Sequence, residues 1–131
     1  MKRDDLFKEA KKARQNAYAP YSTYKIGSAI LTSDGRIFSG CNVENSSYGA
    51  TLCAERVAIL KAISEGATRI SECLVLSDAD PAWPPCGMCR QVLNEFASDK
   101  TLVHIANVAG TIDTLPFSDL LPRAHGKDDL A

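Results

Sequence analysis

Between Asp4 and Tyr18 apolar side chains return every three or four positions (Leu6, Phe7, Ala10, Ala13, Ala17). That spacing lines one face of a helix. Ala19-Pro20-Tyr21-Ser22 ends it, because the residue before a proline avoids helical dihedrals. The period then changes. Ile26 to Leu31 reads as a strand, Ser33-Asp34-Gly35 as a tight turn, and Arg36 to Val43 as the antiparallel partner. A polar connection, Ser46-Ser47-Tyr48-Gly49-Ala50, leads into a second helical run with Val57, Leu60, Ala62 and Ile63. It stops at Ser64-Glu65-Gly66, where glycine takes the left-handed cap. Ile70 to Ser77 is almost continuously apolar and predicts a buried central strand. After a loop from Asp78 to Trp83, a third helix is expected from Cys86 to about Ala97. Strands follow at Thr101 to Asn107 and Thr111 to Leu115, then a helical turn from Phe117 to Leu121. The polar last residues are expected to fray unless a neighbouring subunit holds them. This order predicts an α/β fold, a three-layer α/β/α sandwich around a mixed five-stranded sheet, as one domain over residues 1–131.

With 45% hydrophobic residues in 131, the chain carries enough apolar material for one core. A formal net charge of -1 leaves no basic surplus. Lys8, Lys11, Lys12 and Arg14 read as the solvated face of the first helix, so no nucleic-acid polymer is expected as partner. No apolar run is long enough for a membrane helix, and Met1-Lys2-Arg3 leads into Asp4-Asp5 instead of a signal core. A cytoplasmic protein without membrane attachment is expected. Five cysteines, an odd number without a secretion signal, point to thiols and metal more than to a disulfide framework. Cys41 and Cys73 lie in strand-like runs and read as small buried side chains.

The chemistry concentrates in Pro84-Pro85-Cys86-Gly87-Met88-Cys89-Arg90-Gln91. Two prolines keep the incoming backbone extended, and Val92, Leu93 and Phe96 continue a helix, so both cysteines open that helix. A helix N-terminus stabilises thiolates. The spacing alone suits a metal site or a redox pair. Thr51-Leu52-Cys53-Ala54-Glu55-Arg56 opens another helix, which puts a third thiol at a second N-terminus. Three thiolates with no obvious fourth protein ligand describe a metal held with one position open to solvent, the mark of a catalytic site. Both helices follow a strand, so their N-termini should meet at one end of the sheet. Glu55 can lie beside the open position without binding the ion; lacking the cysteines it would be an ordinary first-turn acid. Three thiolates on a dication sum to -1, and Arg56 is placed to hydrogen-bond them, the alternative being a surface ion pair. Asn42 and Glu44 flank Val43 and face the same side of an extended segment. Tyr24 and Trp83 are candidate aromatic walls, with Trp83 equally a loop anchor, and His104 reads as a packed or surface side chain.

Three motifs in order, Gly40-Cys41-Asn42-Val43-Glu44-Asn45-Ser46-Ser47-Tyr48-Gly49, Cys53-Ala54-Glu55-Arg56 and Pro85-Cys86-Gly87-Met88-Cys89-Arg90-Gln91, closely resemble those of the small, tetramer-forming cytidine deaminases. The resemblance runs from Tyr18 to Pro122. It implies one zinc ion per subunit on Cys53, Cys86 and Cys89, with Glu55 as proton shuttle. It further implies that Asn42 and Glu44 hold the ribose, that the Ala54 backbone helps read the base, and that Tyr48 approaches a neighbouring subunit's site. A homotetramer acting on a small-molecule nucleoside follows. The implied activity is hydrolytic deamination of cytidine and 2'-deoxycytidine in pyrimidine salvage. Two positions depart from the family pattern: Tyr24 and His125 stand where it usually has phenylalanine, the latter lent by another subunit to stack on the base. His125 prompts an alternative, a modified cytosine nucleoside of the blasticidin S type. A structural zinc module is the alternative from another class, and it requires a fourth protein ligand.

Overall fold

The computed structural model describes residues 2–130. Its elements in chain order are α1 (Lys2–Arg14), β1 (Gly27–Thr32), β2 (Ile37–Cys41), α2 (Ala54–Ser64), β3 (Ile70–Ser77), α3 (Gly87–Phe96), β4 (Ala97–Asn107) and β5 (Ile112–Pro116). Short 3-10 turns occupy Tyr48–Ala50, Phe117–Asp119 and Lys127–Leu130.

The sheet is mixed and five-stranded, in the order β2-β1-β3-β4-β5. The hairpin partners β1 and β2 are antiparallel, β1 meets β3 antiparallel, and β5 closes the far edge antiparallel to β4. Only β3 and β4 run parallel within this sheet, joined by α3 as the crossover such pairs need. Strand side chains alternate between faces, and the alternation sorts the core into two layers. Ile30, Cys73, Val75, Val103 and Ile105 pack with Ala58, Ile59, Ala62 and Leu93 of α2 and α3. Ala29, Leu31, Leu74, Leu76 and Ala106 pack on the opposite face with Leu6 and Ala10 of α1. The expected three-layer α/β/α sandwich is therefore the observed fold.

Several boundaries differ from expectation, each for a tertiary reason. Helix α1 ends at Arg14, four residues short of Tyr18. Tyr18 instead donates its N–H to the Asn42 carbonyl at 3.0 Å and accepts from the Glu44 N–H at 2.9 Å. Strand β2 stops at Cys41 because Val43 turns away to pair with Leu52 on both sides, at 2.9 Å each. Strand β4 starts at Ala97, which lies opposite Ile70, with Thr101 bridging through its hydroxyl to the Ile70 carbonyl at 2.7 Å. Lys127–Leu130 form a short 3-10 turn, with the Gly126 N–H donating to the Asp129 carboxylate at 2.7 Å, while the last position of the expected fraying segment lies outside the described residues. Cys73 is buried as expected, whereas Cys41, on the edge strand, is partly exposed. His104 is buried and bonded through both ring nitrogens, to Glu72 at 2.6 Å and Thr114 at 2.8 Å, a packed histidine as read.

Candidate active site

Helices α2 and α3 both present their N-termini beyond the carboxyl end of β3. Cys53 is the N-cap of α2 and Cys86 the N-cap of α3, each with extended backbone and neither bonding its sulfur to the helix N–H groups. Those sulfurs are free to turn to a common point. Cys89, one turn into α3, completes the group: Cys53 Sγ lies 3.6 Å from Cys86 Sγ, which lies 3.4 Å from Cys89 Sγ. All three sulfurs fall within 4.8 Å of one another. Tetrahedral zinc with bonds of about 2.3 Å has ligand sulfurs about 3.8 Å apart, so the donor set and its spacing fit that ion.

Electrostatics point the same way. A hydrogen bond from the Cys89 thiol, with help from Arg56, brings the Cys53 thiol down to about 5. Cys89, giving that bond, is held far above the ordinary thiol range. Packed this closely, the sulfurs cannot all be thiolates without a cation, and a bound cation replaces the protons. Arg56 donates from Nη2 to Cys53 Sγ and to the Thr51 carbonyl, each at 3.4 Å, and the Cys53 sulfur, with Cys89 behind it, raises its pKa. It sits against the sulfurs and makes none of the surface ion pairs seen among the described residues.

Beside the sulfurs opens a cavity of about 280 Å³, whose walls include Glu55, Ala54, Asn42, Glu44, Tyr24 and Trp83. Glu55, 4% exposed, is pushed up to about 7 by burial. It is the carboxyl group nearest in sequence to the metal-type donors, and it is not part of their cluster. Glu44 lies further out. Its Oε1 accepts the N–H groups of Tyr21 and Ser22, both at 3.0 Å, and Oε2 accepts the Ser22 hydroxyl. Those bonds, the Ser22 hydroxyl first, hold it below the usual carboxylate range, so it is a charged acceptor. Asn42 uses its amide internally, donating to the Tyr24 carbonyl at 2.8 Å and accepting from the Ile26 N–H at 2.9 Å. Asn42 and Glu44 thus pin the whole 21–26 segment, a duty invisible in the sequence. Tyr24 meets Trp83 edge to face at 4.9 Å between ring centroids. Trp83 is therefore a wall as well as an anchor.

Two anticipated residues lie elsewhere on this chain. Tyr48, 81% exposed, lines a shallow neighbouring groove with Tyr21 and Thr51. His125 does not line its own cavity; its carbonyl accepts from Gln91 at 2.8 Å and Asn94 at 3.2 Å on α3. Sequence reasoning overlooked Ser22 and the cavity-lining Val75 and Ser77, which no local motif marks.

Residues 1–105 match the family described as the cytidine and deoxycytidylate deaminase zinc-binding region. A cytidine deaminase of Sporosarcina psychrophila is 44% identical over 128 residues, covering 98% of this chain and 94% of its own length. One from Halalkalibacterium halodurans is 45% identical over 130 residues, covering 99% and 98%. The crystal structure of cytidine deaminase from Burkholderia pseudomallei superposes with a TM-score of 0.90 at 41% identity, covering 95% of this chain and 100% of that one. With three cysteine sulfurs placed for one ion at paired helix N-termini, the chain belongs to the zinc-binding cytidine and deoxycytidylate deaminase family.

Proposed function

We propose that this chain, a single domain, is an enzyme that hydrolyses cytidine and 2'-deoxycytidine to uridine and 2'-deoxyuridine plus ammonia, in pyrimidine salvage. The carrying observation is the burial of Glu55 in the same cavity as the cysteine cluster, with Glu44 and Asn42 at its other end. Cys53, Cys86 and Cys89 hold the zinc. When bound, the ion supplies a Lewis acid that makes water nucleophilic near pH 7.

Glu55 then handles the protons. It takes one from the attacking water and delivers it to ring nitrogen 3, and it passes the second to the departing amine. A carbon–oxygen bond replaces the carbon–nitrogen bond at ring carbon 4, and ammonia leaves. The charged Glu44 accepts from ribose hydroxyls, Asn42 keeps that end of the cavity in shape beside it, and the Ala54 backbone faces the base. A structural zinc would need a fourth ligand, and the cysteine group offers three. Three reduced thiols suit the cytoplasm. No helix among the described residues is long and apolar enough to cross a membrane.

We place four copies in the active assembly, with Tyr48 and His125 serving a neighbour's cavity. Their exposure and their absence from their own cavity support that assignment. His125 in place of phenylalanine favours a second substrate reading, a blasticidin-type nucleoside, which relative turnover of cytidine and blasticidin S distinguishes. Glu55→Gln is expected to keep its zinc by metal analysis while kcat falls by at least about 100-fold. Full deamination by that variant overturns the assignment of Glu55.

A further inference from the structure

We propose that Trp83 sets which substituents the enzyme tolerates at ring carbon 5 of the cytosine, the carbon next to the one that reacts. The inference rests on the deaminase reading above and adds a specificity determinant to it. The two aromatic rings of the cavity are anchored on different segments. Tyr24 rides on the segment before β1, and Asn42 fixes it on both sides, through the Tyr24 carbonyl and the Ile26 N–H. Trp83 comes from the loop feeding α3, three residues before Cys86 and separated from it by Pro84 and Pro85. The prolines stiffen that link, so the Trp83 backbone cannot shift without dragging that of a sulfur donor. The edge-to-face contact at 4.9 Å and 71° locks the rings to each other.

The orientation of the base follows from the chemistry. Ring carbon 4 must lie at the open side of the sulfurs. Nitrogen 3 must face Glu55, which rises from the start of α2, to exchange a proton. In a six-membered ring carbon 5 is the other neighbour of carbon 4, so its edge points away from α2. Trp83 and Cys86 from the α3 loop and Val75 of β3 line the same cavity, and in the proposed seating carbon 5 lies against them. Val75 is buried in the core, and Trp83, 42% exposed, is in edge-to-face contact with Tyr24. A hydrogen at carbon 5 fits beside the indole; a methyl or a heavier halogen presses on it.

Discrimination by one methyl in an apolar pocket runs to about 10–200-fold. The test compares kcat/KM for cytidine and 5-methylcytidine in the zinc-loaded wild type, Trp83→Val and Trp83→Phe. The ratio of methylated to plain substrate is expected to rise at least about 10-fold in Trp83→Val, with Trp83→Phe between the two. A ratio unchanged within about twofold in a folded variant overturns the proposal. Trp83→Phe decides the matter should the valine variant not fold. The chain has a single tryptophan, so the emission of the wild type reports on this position directly. Uridine is expected to change that emission saturably, and 5-methyluridine to do so at higher concentration. Unaltered emission in an enzyme that deaminates cytidine overturns the role of Trp83 while leaving the deaminase reading intact. A zinc-loaded wild type that binds uridine and turns over no cytidine overturns the functional reading, and this inference with it.

Discussion

Arg56 is one residue from Glu55, the proposed proton shuttle, and a different role is expected of it. Three thiolates around a dication carry a net negative charge, which weakens the ion as an electron acceptor. The guanidinium donates to Cys53 Sγ and is anchored through the Thr51 carbonyl, which holds a fixed positive charge against the sulfurs. Hydrogen bonds of this kind draw charge off a ligand and orient it. Arg56→Gln is expected to keep stoichiometric zinc and lose about 10–100-fold in kcat. Metal analysis together with steady-state kinetics checks this, and wild-type kinetics would remove Arg56 from the mechanism. Glu44 shows the same logic further out: the Ser22 hydroxyl keeps it charged while tying down the loop that bears Tyr24.

Elements reach their positions here through close backbone approach. A Cβ on Gly27 would lie 2.1 Å from the Ala10 carbonyl oxygen, so α1 rests directly on the start of β1. A Cβ on Gly40 would lie 2.8 Å from the Ala58 nitrogen, which seats α2 on β2 in the same way. The second contact matters for the site, because α2 carries Cys53 and Glu55. Gly27→Ala is expected to lower stability by about 1–3 kcal/mol, since the clash is with backbone and cannot be relieved by a rotamer change. Urea unfolding measures it, and an unchanged midpoint would mean that α1 shifts freely on the sheet. The parallel pair β3 and β4 contributes differently. Its crossover helix α3 must start at the carboxyl end of β3, and that obligation delivers Cys86 and Cys89 to the site.

At the scale of the molecule, Tyr48 and Tyr21 stand exposed in a groove that shares Ser22, Glu44 and Thr51 with the cavity. Exposed aromatics beside a functional cavity mark a contact surface. Sedimentation is expected to give a mass four times that of one chain, and Tyr48→Asp to lower both assembly and turnover together. A fully active single chain would sink the shared-site assembly. His125, fixed by its carbonyl to α3 yet remote from its own cavity, belongs to the same expectation.

Much was decided locally. The periods of apolar residues placed the three helices and five strands, because burial of one face is a property of short stretches. The cysteine spacing and the prolines before Cys86 located the metal-type donors, since each sits at a helix start that its own flanking residues specify. What the chain could not announce was every contact made across it. Helix α1 ends early because Tyr18 finds backbone partners more than twenty residues away. Asn42 and Glu44 spend their polar atoms on the 21–26 segment, and Trp83 becomes a wall only when Tyr24 is brought against it. Local pattern determines which segments can be helix, strand or ligand loop; only folding determines which polar groups remain free for a substrate, because a hydrogen bond needs both partners in place.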